Sequence, residues 1–192
     1  ERHDRNQAHG VLVGLLERAR GFQVRGPMPE ALLTLARIEI DLGHHDDAER
    51  RLRSLRNAPA PISDRARLLR GMIATGRQEP WCEDILAAAI SSLTVPSDRC
   101  EAMLLMGERL LLREKNAEAK QTFDEALQIA RAAKLNELAA RATLGLGDCE
   151  RSQGQLAEAA QTYQAARTLA DDDPELLQRV LLRRGDLFRA GG

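Results

Sequence analysis

The residues specify an all-α chain of stacked antiparallel helix pairs, and three observations carry that reading. The stretch Ala140 to Ala166, ARATLGLGDCERSQGQLAEAAQTYQAA, repeats a plan laid down forty residues earlier: Gly147, Gly154, Ala159, Tyr163 and Ala166 recur as Gly107, Glu114, Ala119, Phe123 and Ala126. Small residues where two helices would cross, with an aromatic one turn on, mark a helix-turn-helix unit copied in tandem. Related small residues at Ala36, Gly71, Gly107, Gly147 and Gly185 fall 35, 36, 40 and 38 residues apart. Finally, the 192 residues are 43% apolar and 30% charged, enough to bury a continuous core, and their apolar positions recur at helical spacing.

Taken in order, residues 1–27 read as an N-terminal helix and linker, the second half of a preceding repeat. Ala8, Val11, Leu12, Leu15 and Leu16 hold helical spacing over 5–20, and GFQVRGPMPE supplies the break. Residues 28–192 read as an array of about four helix pairs and a final unpaired helix. Its first pair runs from Pro29 to Leu42 and from Asp46 to Leu55, with Gly43 stopping the first helix and Asp46 or His45 capping the second. Ser63 is expected to cap a helix through Thr75. A partner from Pro80 to Ser92 would pack Trp81, Ile85, Leu86, Ala89 and Ile90, although Glu83 falls where the repeat wants alanine. Ser97, Asn116 and Asn136 are the expected caps of the next three helices, and the partner after Gly154 runs to about Leu169. Asp173 caps a last helix that opens on Pro174, and its Leu181, Gly185, Phe188 and Gly192 restart the motif. The chain opens on Glu1 and closes partway through a repeat, so it is expected to be a piece of something longer.

The pattern of glycine, alanine, aromatic and alanine resembles the tetratricopeptide repeat (TPR) family over about residues 28–192. The match is closest over Met103 to Ala126 and Thr143 to Ala166. The spacings, longer than the family's usual 34 residues, look like the regulatory arrays of large bacterial signalling ATPases. The resemblance implies a right-handed α–α superhelix and a protein-binding, non-catalytic scaffold. Physically, each helix pair has an apolar face on either side, so stability resides in the interfaces between neighbours.

Little in the sequence suggests chemistry. No metalloprotease, phosphate-loop, nucleophile-elbow or calcium-loop motif occurs, and no cofactor is expected. His44 and His45 beside Asp46 and Asp47 read as a polar turn rather than a metal site, and the acid run Asp171 to Asp173 as a solvated cap. Net charge is -1, which argues against direct nucleic-acid binding, and no apolar run is long enough for a membrane span. Cys82, Cys100 and Cys149 form no CxxC pair and read as small packing residues in a reducing, cytoplasmic setting.

Function therefore falls to the groove that the family lines with the first helix of each repeat. Carried over position by position, the lining is Arg37 and Ile40, then Arg65, Leu68 and Met72, then Leu104, Glu108, Leu111 and Leu112. Arg141, Leu144, Asp148 and Arg151 follow, then Arg179, Leu182, Arg183, Asp186 and Arg189. The run AMLLMGERLLL is apolar nearly all round, so some of Leu104, Leu105, Leu111 and Leu112 are either buried or face the groove. The expected ligand is a leucine-bearing helix or extended peptide with acidic residues, unless the arginines merely form surface ion pairs with Asp148 and Asp186. The clamp asparagines that bind chaperone tails in some family members are replaced by Arg37, Met72, Glu108, Asp148 and Asp186. Three readings stay open: a protein-binding scaffold within a larger bacterial cytoplasmic signalling or transcription regulator, a sensor of a small ligand or peptide, and a homo-oligomerising module through the C-terminal helix with Leu181 and Phe188.

Overall fold

The computed structural model describes residues 2–21, 28–170 and 173–190, most of them helical. Among them run ten helices: α1 (Arg2–Gly21), α2 (Met28–Asp41), α3 (His45–Ser54), α4 (Ala60–Gly76), α5 (Cys82–Ser92), α6 (Pro96–Leu112), α7 (Asn116–Ala132), α8 (Asn136–Ser152), α9 (Leu156–Leu169) and α10 (Pro174–Ala190). They fall into two compact units, Glu1–Leu93 and Thr94–Gly192.

The turns share one device. Gly43, Gln78, Glu114, Lys134 and Gly154 each take a left-handed conformation, with φ of 84°, 56°, 60°, 56° and 76°. The N–H of the following residue then bonds the carbonyl five residues back, as in His44 to Glu39 (2.7 Å), Lys115 to Leu110 (2.9 Å) and Gln155 to Glu150 (3.0 Å). This Schellman-type closure satisfies the last carbonyls of one helix. In the turns before α3, α7, α8 and α9 the same residue then serves as N-cap of the next, its own carbonyl accepting from Ala48, Ala119, Ala139 or Ala159. No capping side chain takes part there. The expected caps Asp46, His45, Asn116 and Asn136 are therefore corrected: each lies inside its helix. Ser63 and Ser97 are corrected likewise, because prolines in the first turn start α4 at Ala60 and α6 at Pro96. Asp173 does cap α10, its Oδ1 accepting from the N–H groups of Glu175 (3.0 Å) and Leu176 (3.1 Å).

In the first unit α2 pairs with α3 and α4 with α5, and α1 lies against α2. Leu33, Leu35, Ala36, Ala48, Leu52, Ala66, Leu69 and Ile73 form the core. From α1 it is Val13 that packs on this core and His9 that bonds Glu39, whereas Ala8 and Val11 are exposed; the side chains of Leu12, Leu15 and Leu16 lie outside the described residues. Glu39 is fully buried, and Arg51 Nε donates to both its oxygens at 2.7 and 2.9 Å. Asp46 pairs with Arg77 and Asp47 with Arg50, which accounts for the acids of the polar turn.

The α4–α5 pair corrects the expected register. Cys82, Leu86 and Ala89 are the buried positions, one residue earlier than the template places them, and Trp81 is 41% exposed. The cause is a shorter turn. Cys82 follows the left-handed Gln78 by four residues, whereas Ala48, Ala119 and Ala159 follow Gly43, Glu114 and Gly154 by five. Leu86 consequently takes the aromatic's place over Gly71, and Glu83 is moved off the alanine position.

In the second unit α6–α7 and α8–α9 are stacked pairs, with α10 against α8 and α9. A Cβ at Gly107 or Gly145 would lie 2.6 or 2.5 Å from the Phe123 ring, so that ring is wedged between α6 and α8 by two glycines. A Cβ at Gly147 would lie 2.5 Å from Tyr163. These glycines fix how closely the helices approach. The three cysteines are buried, and burial, with Asp148 nearby, pushes the Cys149 thiol up to about 12.

Candidate functional site

Because α6, α8 and α10 are the leading helices of successive pairs, the positions they share face one side of the second unit. There they enclose an open recess of roughly 400 Å³. Glu108, Leu111 and Leu112 enter it from α6, Arg141, Leu144, Asp148 and Arg151 from α8, and Arg179 and Arg183 from α10. All nine are positions read from the sequence as lining. Leu144 is buried and supplies only floor, while Leu112 is 73% exposed.

The remaining expected positions lie elsewhere. Leu104 is 1% exposed and Leu68 3%, so both are corrected: their faces pack into protein and cannot meet a partner. AMLLMGERLLL thus divides, with Leu104 inside, Leu105 and Leu111 half-buried and Leu112 outside. Asp186 and Arg189 pair with each other at 2.8 Å and do not line the recess. In the first unit Arg37 pairs with Asp41 at 3.4 Å, Arg65 is exposed, and Met72 packs on the core. Phe123, Gly145 and Ser152 also line the recess without having been expected. The readable signal was the GLG of Gly145 to Gly147, in which a second glycine makes room for a ring from the preceding pair.

Electrostatically, four guanidinium groups face two carboxylates. Asp148 is the hub. Its carboxylate accepts from the Tyr163 hydroxyl at 2.7 Å, lies 3.1 and 3.2 Å from Arg183 Nε, and sits 3.8 Å from Arg151. Burial, then the bond to Asp148, holds the Tyr163 hydroxyl well above the ordinary tyrosine range. Tyr163 in turn, helped by the nearby carboxylates, holds Arg151 above its ordinary value. Arg179 meets Glu108 at 3.8 Å, both about half exposed, a contact worth about 0–1 kcal/mol. Arg141 Nε is buried without a hydrogen-bond partner. Among the described residues no cluster of histidine, cysteine and acid side chains could hold a metal, and no helix is long and apolar enough to cross a membrane.

No curated protein matches the sequence. Among solved structures, the crystal structure of TTC0263, a thermophilic TPR protein in Thermus thermophilus, is similar over 94% of this chain and 97% of that one. The TM-score is 0.62 and the sequence identity 20%, a likeness of fold. A tetratricopeptide repeat family model matches residues 33–80 and 104–174, more than half of the chain. Helix pairs, small-residue crossings and family match agree: this chain belongs to the tetratricopeptide repeat family.

Proposed function

We propose that the chain is a non-catalytic scaffold whose second unit holds a protein or peptide segment carrying leucine and acidic side chains. It does so as a regulatory segment of a larger bacterial cytoplasmic signalling or transcription-regulator protein. The carrying observation is the recess between α6, α8 and α10, where an excess of guanidinium over carboxylate adjoins the exposed Leu112. Guanidinium forks match carboxylates, and an apolar ledge beside them suits an amphipathic segment. The resemblance in repeat length to bacterial regulatory arrays supports the wider setting.

A photo-crosslinking residue at Leu112, compared with one at the exposed Gln128 of α7, tests this reading in lysate of the source organism. Cross-links from position 112 that map to one acidic, leucine-bearing segment, and that vanish when Arg141, Arg179 and Arg183 are changed to Glu, support it. Equal labelling from both positions, or none from 112, sinks it. A self-associating module is the second reading, because Leu181 and Leu182 on α10 are 48% and 57% exposed; the side chain of Phe188 lies outside the described residues. Light scattering that shows only monomer at hundreds of micromolar removes that reading.

A further inference from the structure

The cations of the recess are not equivalent. Arg183 is bound by both oxygens of Asp148, Arg151 shares that carboxylate at 3.8 Å, and Arg179 faces Glu108. Arg141 has no such partner. Its Nε, like that of Arg151, is buried without a hydrogen-bond partner, but Arg141 alone of the four forms no ion pair among the described residues, although its side chain lines the open recess. A guanidinium with no carboxylate of its own beside an open recess is the cation left to pair with an arriving one.

Resting on the scaffold reading above, we propose that Arg141 is the specificity-determining anchor of this groove, taking one carboxylate of a peptide whose neighbouring leucine rests on Leu111 and Leu112. Asp148 defines the limit of that recognition. Tied to Tyr163 on α9 and Arg183 on α10, it already fills the place a second ligand carboxylate would need, and its own charge repels one. The groove therefore reads a single acid beside a leucine rather than an acidic run. A neutral amide in the ligand can accept one hydrogen bond from Arg141 but offers neither the charge nor the second oxygen that suits a fork.

A random dodecapeptide display library, panned on wild type and on Arg141→Gln, Arg141→Lys and Arg179→Gln variants of matched helicity, is the test. Wild type is expected to enrich peptides with one Asp or Glu next to Leu, and Arg179→Gln to do so more weakly. Arg141→Gln keeps the leucine preference and loses the acidic one, and Arg141→Lys restores it in part. For one enriched peptide, replacing its acid by the amide should weaken binding about tenfold on wild type and less than twofold on Arg141→Gln. Acid enrichment that survives in Arg141→Gln, or falls equally in Arg179→Gln, overturns the assignment. Enrichment of acidic runs over single acids overturns the role given to Asp148. Failure of wild type to enrich any peptide over bare support instead removes the scaffold reading on which the proposal rests.

Discussion

Gly147 and Gly185 stand at the same place in successive leading helices, yet alanine should act on them with opposite sign. At Gly147 a Cβ would lie 2.5 and 2.6 Å from two carbons of the Tyr163 ring, against about 3.5–4.0 Å for an ordinary carbon contact. About 1 Å of movement is required. Tyr163 is fully buried and tied to Asp148 at 2.7 Å, so the ring cannot swing aside without giving up that bond. Overpacking of this kind costs about 1–3 kcal/mol, against a gain of about 1 kcal/mol from replacing glycine inside a helix. The net expectation is a loss of about 1–2 kcal/mol. At Gly185 the Cβ meets nothing within 4 Å, so only the helix term remains and the protein should gain about 1 kcal/mol. Urea and thermal melts of the 192-residue chain followed by circular dichroism measure both, at about 2–4 °C per kcal/mol. A Gly147→Ala protein as stable as wild type, or a destabilised Gly185→Ala, would refute the account of the glycines as spacers.

The turns offer a second matched pair. Glu114→Gly should stabilise by about 0.5 kcal/mol, the relief of a left-handed non-glycine residue less the added freedom of the unfolded chain, while Gly154→Glu should cost about 1 kcal/mol; melts that rank the two variants the other way contradict the shared turn. Cys149 and Tyr163 hold their protons more tightly folded than unfolded, where the ordinary values are 9.0 and 10.0. Their contribution is thus complete below about pH 9 and is lost as pH climbs towards the raised folded values. Melting temperature in reducing buffer should fall between pH 9 and 10.5, less steeply in Tyr163→Phe, and a flat profile counts against that burial. Arg51→Ala leaves the buried Glu39 carboxylate without its main partner and should destabilise by about 3 kcal/mol, the low end for a broken buried pair because Arg51 is itself partly exposed. Arg179→Ala should change stability by under about 1 kcal/mol in the same melt.

Much of this architecture is legible in the residues, and the illegible parts have identifiable causes. Gly107, Gly147, Phe123 and Tyr163 announce their crossings because a close helix approach admits few side chains. Asp173 is readable as a cap because a proline follows it and its own side chain supplies the cap. Asn116 and Asn136 mislead for the opposite reason: the closing turn of one helix already supplies the cap of the next, so a polar residue one place later has nothing left to cap. The α5 register hides in a single missing turn residue, which periodicity averages away. The leading-helix positions of the recess follow from counting along the repeat, but which arginine is matched does not. Arg183 reaches Asp148 across 35 residues and Arg179 reaches Glu108 across 71, distances in sequence that only stacking brings together.

The Phe123 wedge makes the second unit mechanically uneven. Between α6 and α8 a ring is clamped by two glycines, while two residues before Gly185, where α8 has Gly145, α10 has Arg183; α10 packs on the preceding pair through Leu176, Val180 and Leu187 and adds an ionic bridge from Arg183 through Asp148 to Tyr163. A hydrocarbon joint is indifferent to ionic strength, whereas a half-exposed ion pair is screened by it. Added salt should therefore leave the first joint unchanged and weaken only the ionic part of the second, whose apolar contacts persist. The second unit would behave as a spring with one coil blind to the surrounding electrolyte and one that the electrolyte trims.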